Sequence, residues 1–333
     1  YMNQTQPLPP ERRVLVPEIT AVPVRPTSAR KLSLAGQAFA TTWSVEALVE
    51  TGAASLQGQC QAWLDLIDAQ MSPYRADSDL TRFNSAADWT FVPLPEVMMR
   101  VVRHALEIAE LSDGAFDPAL LSAVELWGFG AKTVSEGLPD PADIARLKQT
   151  PGGWRDLIWQ DAGLIKPAGV RLDLCGIAKG FAVDGLCEIL QNHEGVVSAL
   201  VEVGGELKGF GVQPSGQPWW VEIEATHDRA LVALCGKSIA TSGDSRRAFS
   251  HNGRLFSHTI DAATQTPTQS SIASATVMDA QCWRADALAT ALIVMGEGRA
   301  LEFAEANTIP CLLRIREGET IREHLSPALV DWL

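Results

Sequence analysis

The amino-acid sequence predicts an α+β fold, with mixed strands and helices in one compact body. Strand-like segments come in consecutive runs between helices instead of alternating strictly with them, which is a pattern typical of this class. The 333 residues are 46 % hydrophobic, and this is enough to bury a sizeable core. The sequence contains no internal repeat and no low-complexity tract.

The first 30 residues differ from the rest of the chain. They contain six of the 19 prolines and show no hydrophobic periodicity, so we expect an extended arm or tether that is not part of the core. We therefore divide the chain into a Pro-rich arm at residues 1–31 and one folded domain at residues 32–333. No apolar stretch reaches 18 residues, so no transmembrane helix is predicted.

The charge of the chain limits its partners. The net charge is −13 and no basic run exceeds two residues, which argues against nucleic acid and against an anionic membrane surface as main partners. A bound phosphate would therefore need local neutralisation by a few Lys and Arg side chains or by a metal ion. The six cysteines form no CxxC pair and no zinc-ligand spacing with His, so we interpret most of them as small core residues.

Elements of the first half follow from hydrophobic spacing and from turn residues. Alternation predicts a strand at residues 42–50, and helical spacing predicts a helix from Leu56 to Met71. A polar, turn-rich loop is expected at residues 71–84. A second helix is expected from about Pro95 to Leu111, with the proline at the first helical position. Residues 112–130 suggest a turn, an Asp-Pro pair, a short helix and a Gly-rich exit.

The second half is richer in strands. Strands are predicted at residues 170–174, 219–225, 229–234, 255–261 and 274–280, with two more within residues 197–212 around Gly204-Gly205. Helices are predicted from Gly180 onward and at residues 285–295, the latter ended by Gly296.

The last of these helices raises a question, because it is apolar yet carries Asp286 in its predicted first turn and Thr290 one turn later. Three structural explanations are open: the preference of Asp for the positive end of a helix, an ion pair with Arg284, or half-burial of the segment. The functional alternative starts from the i, i+4 spacing, which puts both side chains on one face. A carboxylate beside a hydroxyl makes an all-oxygen site that suits Mg²⁺.

Two further segments carry groups that suit a phosphate. Residues 173–184 predict a Gly-rich turn into a helix, which exposes backbone N–H groups to an anion, and Lys179 could reach a phosphate there. The alternative is an ordinary turn with a solvent-exposed lysine. Arg246 and Arg247 could bind a phosphate or the acidic end of a substrate, or could belong to a solvated loop.

Residues 257–261 and 114–119 each have a functional and a structural interpretation. On a strand, Ser257, Thr259 and Asp261 would face one side, with His258 and its neighbour Ile260 on the other. A lone histidine on a strand is more often a hydrogen-bonded structural residue than a base. The Asp-Pro pair within residues 114–119 is a common signal for a helix start.

Seven segments, taken together, resemble one family. In chain order they read MSPYRADSDLTRFN, GAFDPALLSAVELWGFG, LDLCGIAKGFAVD, VEVGGELKGFG, IATSGDSRR, SHTIDAATQTP and ADALATALIVMG. They look like motifs of the ApbE-like FAD:protein FMN transferases, and the similarity covers roughly residues 35–315. It implies a T-fold-like α+β fold, FAD as substrate, a bound Mg²⁺, and a periplasmic protein that is tethered to the membrane through its N-terminal arm.

The resemblance also implies roles for individual residues. The Mg²⁺ ligands would be Asp286, Thr290 and the backbone carbonyl of Gly176, with the metal bridging to the FAD pyrophosphate. FAD contacts are implied at Phe39, Tyr74, Ala115, Phe116, Asp117, Asp173, Lys179, Arg246 and Ile260. The family reaction moves FMN from FAD to a Ser or Thr hydroxyl of an acceptor flavoprotein and releases AMP. Lys179 would add positive charge, and His258 and Asp261 are the candidates for removing the hydroxyl proton.

The sequence departs from the family pattern at several positions. Phe39-Ala40-Thr41 stands where Met-Gly-Thr is usual, Cys175 replaces a glycine, and Ser245 replaces an aromatic residue. Residues 260–265 have lost the Pro, Arg and Gly of the family motif, which we expect to reshape the rim of the pocket. Two alternatives to the transferase therefore stay open: a non-enzymatic FAD-binding protein, and a Mg²⁺-dependent FAD pyrophosphatase that gives FMN and AMP.

Overall fold

The computed structural model describes residues 13–19, 23–26, 28–131, 137–150, 152–224, 230–243 and 248–333. Its strands are Arg13–Leu15 (β1), Arg30–Ala38 (β2), Thr41–Val49 (β3), Phe91–Pro93 (β4), Ile158–Gln160 (β5), Gly163–Ile165 (β6), Val196–Val203 (β7), Glu206–Phe210 (β8), Trp219–Ile223 (β9), Ala230–Leu234 (β10), Lys237–Gly243 (β11), Ala248–His251 (β12), Arg254–Ser257 (β13), Ile260–Asp261 (β14), Thr266–Pro267 (β15), Ile272–Asp279 (β16), Cys311–Glu317 (β17) and Thr320–Leu325 (β18). Its helices are Leu56–Met71 (α1), Asp79–Ser85 (α2), Glu96–Leu111 (α3), Leu121–Leu126 (α4), Pro141–Gln149 (α5), Cys175–Asn192 (α6), Cys282–Met295 (α7), Glu297–Ala306 (α8) and Pro327–Val330 (α9).

An eight-stranded sheet forms the centre of the molecule, in the order β18-β17-β16-β11-β8-β7-β3-β2. All neighbouring strands in it run antiparallel. Strand β3 shows why the sequence pattern predicts it. Trp43, Val45 and Ala47 point to the core beneath the helices, whereas Leu48 belongs to the core on the opposite face. Alternate side chains of a strand point to opposite faces, so the first face of this strand is buried from Trp43 onward and the second face is buried at Leu48.

Helices cover one face of the sheet, and a small sheet covers the other. Helices α1, α6 and α7 pack on the first face, and their apolar side chains join the main core. A Cβ atom at Gly180 would overlap the carbonyl of Cys282, so α6 and α7 approach each other closely there. The three-stranded sheet β1-β10-β9 packs on the other face through Leu15, Val232 and their neighbours.

The N-terminal prediction is wrong in part. Strand β1 pairs in parallel with β10, and Leu15 is only 1 % exposed. The backbone N–H of Val16 also donates to the carbonyl of Trp332 at 2.8 Å. This section of the arm belongs to the folded body, which therefore includes residues well before Leu32. Prolines kept the section from showing periodicity, but one short strand with one buried leucine is enough to dock it.

Two predictions near the first two helices need correction. The loop at residues 71–84 contains most of α2, whose N-cap Ser78 accepts the N–H of Thr81 at 3.0 Å. Pro95 is the N-cap of α3 and precedes its first helical residue. The polar Ser78 caps α2, whereas Pro95 makes no side-chain capping bond at the start of α3.

No strand forms at residues 170–174, contrary to the prediction. The side chain of Asn84 takes the place of a neighbouring strand: its Oδ1 accepts the N–H of Leu172 at 2.7 Å and its Nδ2 donates to the carbonyl at 2.8 Å. Helix α6 then begins at Cys175, five residues before the predicted start. Residues 255–261 also do not form one strand, since β13 ends at Ser257 and β14 begins at Ile260.

The cysteines and the helices can be checked against the expectations for the whole chain. All six cysteines lie in the described residues, and none of them forms a disulfide. Burial of Cys60, Cys187, Cys282 and Cys311 confirms that most of them are core residues. Across the described part of the chain, none of the helices is both long enough and apolar enough to cross a membrane.

Candidate active site

A cavity of about 250 Å³ lies where the start of α6 meets α7, β11 and the bend after β13. Ten of the residues that the sequence analysis singled out line it: Ala115, Phe116, Asp117, Asp173, Gly176, Lys179, His258, Ile260, Asp286 and Thr290. Other lining residues were not predicted, among them Glu206, Thr241, Ser242 and Thr259. The segments that carry these residues are far apart in sequence, so the cavity depends on the tertiary fold.

The structure contradicts the three structural explanations for Asp286. Helix α7 begins at Cys282, so the aspartate lies in the second turn, away from the positive end of the helix. The guanidinium of Arg284 pairs instead with Asp279, at 3.2 Å. Asp286 is only 4 % exposed, and its Oδ2 accepts the backbone N–H of Gly180 at 3.0 Å. A buried carboxylate is costly in an apolar helix, so its place on the wall of a cavity calls for a functional reason.

Thr290 and Gly176 complete the oxygen-rich corner of the cavity. The hydroxyl oxygens of Thr290 and Ser242 lie 3.0 Å apart and share a hydrogen bond. A Cβ atom at residue 176 would lie 3.4 Å from Oγ1 of Thr290 and 3.1 Å from the ring of Phe116, so glycine permits the close approach.

The oxygen atoms of this corner are suitable ligands for a hard cation. They belong to a carboxylate, a hydroxyl and a backbone carbonyl, and oxygen ligands of this kind suit Mg²⁺. Among the described residues, no group of three or more His, Cys, Asp or Glu side chains is arranged to hold a metal. A cation at Asp286 would therefore need neutral oxygens of the chain and oxygens of the ligand.

Lys179 lies in the cavity but is already paired. Its ammonium lies 2.7 Å from Oε1 of Glu206, which is 1 % exposed. The sequence analysis missed this carboxylate, although a glutamate directly after Gly204-Gly205 and inside a strand pattern was a usable signal. Part of the positive charge on the lysine is therefore neutralised within the protein, which leaves the cavity less cationic than the sequence suggested.

Two aspartates of the cavity hold turns of the backbone. Oδ1 of Asp117 accepts the N–H of Ala119 at 2.7 Å, and Oδ1 of Asp173 accepts the N–H of Cys175 at 2.9 Å. Asp117 is not the N-cap of a helix, since α4 begins only at Leu121. Burial raises the pKa of Asp117 to about 6, although the hydrogen bond from Ala119 and the charge of Arg155 oppose the shift. Its carboxyl therefore titrates close to neutral pH.

The predicted alternation after Ser257 is wrong. The chain bends between β13 and β14, and the Ser257 hydroxyl accepts the N–H of Thr259 at 3.2 Å. As a result, the three consecutive residues His258, Thr259 and Ile260 all line the cavity. The ring of His258 also meets that of Phe129 edge to face, with centroids 6.3 Å apart.

The predicted proton acceptors are separated by this bend. Asp261 does not line the main cavity: its Oδ1 accepts the N–H of Ala263 at 2.9 Å, and the residue lines an adjoining cavity of about 360 Å³. The two cavities share Ala115 and Asp117. Of the two candidate bases, His258 alone faces the space that the other predicted residues line.

Two further predicted FAD contacts, Tyr74 and Phe39, are described by the structure but do not line the cavity. The Tyr74 hydroxyl donates to the carbonyl of Phe129 at 3.2 Å, and the residue is 48 % exposed. Phe39 forms the β2–β3 turn with Ala40, and both have positive φ, 54° and 56°. Such a turn favours glycine, which explains the glycine of the family motif. Arg246 lies outside the described residues, as does Ser245.

This chain is similar to several known proteins that are named as flavin transferases. Proteins from Vibrio cholerae and Haemophilus influenzae, both named FAD:protein FMN transferase, are 33 % and 34 % identical to this chain; the matches cover 92 % and 86 % of it and 93 % and 86 % of those proteins. The apo form of Pseudomonas stutzeri flavinyl transferase ApbE matches with a TM-score of 0.86 and 34 % identity, covering 91 % of this chain and 97 % of that one. The fold and the similarity define a flavin transferase.

The particular family follows from a sequence profile. The profile of the ApbE family matches residues 39–313, which is most of the chain. The chain therefore belongs to the ApbE family. This confirms the predicted family, the α+β fold class and the enzyme class, and the matched range agrees closely with the range in which the seven motifs lie.

Proposed function

We propose that this protein transfers FMN from FAD to a Ser or Thr hydroxyl of an acceptor flavoprotein, releases AMP, and depends on Mg²⁺. One observation carries the proposal: the buried carboxylate of Asp286 faces the cavity beside Thr290 and the turn at Gly176. The carboxylate bonds to the N–H of Gly180 with one oxygen, and its place on the cavity wall suits a pyrophosphate-bound cation. The names of the relatives support the donor and the transferred group.

Different residues of the cavity have different roles in the proposed reaction. Asp286, Thr290 and the carbonyl of Gly176 would hold the Mg²⁺, which when bound neutralises charge on the pyrophosphate. Lys179 binds the phosphate oxygens, with Glu206 fixing the direction of its side chain. His258 accepts the proton of the acceptor hydroxyl as that oxygen bonds to the FMN phosphorus and the bond from phosphorus to the AMP oxygen breaks.

The resemblance to the family also supports a proposal about the cellular location of the protein and about its acceptor. A periplasmic location, with a membrane tether on the N-terminal side of β1, would bring the enzyme to exported acceptors. The acceptor itself would be a flavoprotein domain that presents a serine or threonine at the cavity mouth, near His258.

Mass spectrometry of acceptor domains tests the transfer. The protein is incubated with FAD, Mg²⁺ and a panel of flavoprotein domains, and we expect one of them to gain the mass of FMN on a Ser or Thr. Asp286→Asn should lose the reaction, whereas the matched control Asp279→Asn, on the surface beside the same helix, should keep it. An authentic family transferase run on the same panel validates the acceptors.

Two results would overturn the transferase in favour of a specific alternative. If no acceptor gains mass while the authentic enzyme labels the panel, intact FAD indicates a binding protein. FAD cleaved to FMN and AMP under the same conditions indicates a pyrophosphatase. Detection of AMP alone cannot separate transfer from hydrolysis, because both release it.

A further inference from the structure

The start of helix α7 is held by a carboxylate of the neighbouring helix α6. The first N–H groups of a helix have no partner inside it, and the N-cap Gln281 makes no side-chain capping bond. Asp184 supplies an acceptor: its Oδ2 accepts the N–H of Trp283 at 2.9 Å. Its Oδ1 accepts a hydrogen bond from the ammonium of Lys208 on β8 at 2.5 Å, and both side chains are largely buried. The aspartate is thus fixed from two sides.

A second bond of the same kind joins the helices. In this second bond, Asp286 of α7 accepts the N–H of Gly180 of α6. Gly180 and Asp184 are four residues apart, and Trp283 and Asp286 are three apart, so each pair lies on one helix face about one turn apart. The helices nearly touch at Cys282, where a Cβ at position 180 would not fit. Each helix gives one carboxylate to a backbone N–H of the other.

We propose that Asp184 is a positioning residue for the Mg²⁺ site: by capping α7 it fixes the Asp286 carboxylate opposite the Gly176 turn. The inference rests on the proposed function, because it presumes that Asp286 binds the metal. Groups that orient a metal ligand without touching the metal typically change its affinity about 10- to 100-fold.

Lys208 holds the second oxygen of the capping carboxylate. Burial alone would lower the pKa of Lys208, but the charge of Asp184 and its hydrogen bond outweigh burial and raise that pKa. Lys208 therefore stays protonated at neutral pH and keeps donating to Oδ1 of Asp184. This leaves Oδ2 as the acceptor for Trp283.

Three variants separate positioning from general stability. Asp184→Ala removes the cap, and Asp184→Asn keeps an acceptor oxygen for Trp283 but loses the charge. Ser326→Ala is the matched control: this buried serine accepts the N–H of Leu329 and so caps α9, which lines no part of the cavity. For each protein, calorimetry measures Mg²⁺ binding to the FAD complex and FAD binding in EDTA, and thermal melting measures stability.

We expect Asp184→Ala to weaken Mg²⁺ binding about tenfold or more and Asp184→Asn to weaken it about threefold, with FAD affinity in EDTA changed less than about twofold. Excess Mg²⁺ should restore transfer by both variants. Ser326→Ala should melt lower and bind Mg²⁺ normally. If Asp184→Ala does not fold, the Mg²⁺ affinity of Asp184→Asn alone tests the positioning role.

The outcomes that contradict the inference are distinct from those that contradict the proposed function. If the wild-type protein binds FAD equally tightly with and without Mg²⁺, both the metal assignment and the positioning role of Asp184 are overturned. If the Asp184 variants that fold bind Mg²⁺ as tightly as the wild-type protein does, only the positioning role of Asp184 is overturned. The same holds if Ser326→Ala weakens Mg²⁺ binding as much as they do, because general loss of stability then explains the effect.

Discussion

The cavity has two walls of different construction. The helical wall consists of residues 175–184 of α6 and 282–290 of α7, and the turn wall of residues 257–267. In the helical wall, carboxylates bond to backbone N–H groups of the facing helix, as Asp286 does to Gly180. In the turn wall the corresponding bonds are local, as between Asp261 and Ala263. The carboxylates of the helical wall thus bond to a distant segment, whereas Asp261 bonds within its own turn; the turn wall is tied to the rest of the chain by the indole of Trp127, which donates to the carbonyl of Gln265 at 2.9 Å.

The difference accounts for the changes in the turn at residues 262–265; it does not account for Cys175, an exposed residue at the start of the helical wall. A change in the helical wall breaks buried hydrogen bonds that two elements share, and each buried group left without a partner costs about 1–3 kcal/mol. Changes at residues 262–265 alter exposed or half-buried side chains of one tight turn. The retained metal-ligand pair and the altered turn therefore follow from the same physical contrast. The helical wall should hold the metal and the pyrophosphate, whereas the turn wall should supply the base His258 and, through residues 262–265, tune access for the acceptor.

The largest effect is expected from Asp286→Ala in the helical wall. Loss of the carboxylate should lower transfer about a thousandfold, since a metal contributes several kcal/mol of charge stabilisation. The apo protein should still fold, because it loses one hydrogen bond while shedding a buried charge, so its Tm should change by only about 2 °C. Acceptor labelling and melting in EDTA measure the two quantities. An apo variant that does not fold would mean that Asp286 is structural.

The second largest effect is expected at His258 of the turn wall, whose imidazole ring lines the cavity. His258→Ala should lower transfer about a hundredfold, which is typical for removal of a general base, and leave FAD affinity nearly unchanged. Asp261→Asn is the matched comparison: its amide oxygen can still accept the N–H of Ala263, so we expect less than about a threefold loss. Equal losses in the two variants, measured by acceptor labelling, would refute the assignment of His258 as the base.

A smaller effect concerns Asp117, which lines both cavities where the walls meet. The pKa of this carboxyl is raised to about 6 in the folded protein by burial, so the folded state holds the proton more tightly than the unfolded chain. Ionisation between about pH 4 and pH 6 therefore lowers the free energy of unfolding, by about 2–3 kcal/mol once complete. Asp117→Asn keeps the acceptor for Ala119 and removes this loss.

The apo Asp117→Asn variant should therefore melt above wild type at neutral pH, and the two curves should converge below about pH 4. Melting of both proteins across this range, without FAD or metal, measures the effect. A constant difference at every pH would show that the gain does not come from ionisation of Asp117.

The smallest effect is expected at Gln265, where the turn wall differs from the family. Its φ is +55°, a conformation that favours glycine, yet its side chain donates to the carbonyl of Ala262 at 2.8 Å. Gln265 thus holds a conformation that favours glycine, at the position where the family motif has one. Gln265→Gly should stabilise the protein by less than about 1 kcal/mol, since relief of strain is offset by the lost bond. Urea unfolding measures it, and a clear destabilisation would contradict this account.

Several parts of the fold were predictable because their signal is local. Alternation predicted β3 and β16, and helical spacing predicted α1 and α7, all close to their observed bounds. The segment at residues 170–174 was not predictable as coil. Its strand-like side chains are buried as in a strand, but its hydrogen bonds go to Asn84, a distant side chain. The hydrophobic pattern of a segment indicates which of its side chains are buried. It does not indicate which group forms hydrogen bonds with its backbone N–H and carbonyl groups.

By itself, the sequence determined the α+β class, the family, and most of the residues that line the cavity, because these depend on spacing and on short motifs. Only the tertiary structure decided what each of them does there. It buried Asp286 against Gly180, neutralised Lys179 with Glu206, and turned Asp261 away from His258. Each of these outcomes depends on which segments meet across the fold. Hydrogen bonds and charges act over a few ångströms, whereas the residues that form these contacts are up to 106 positions apart in the chain.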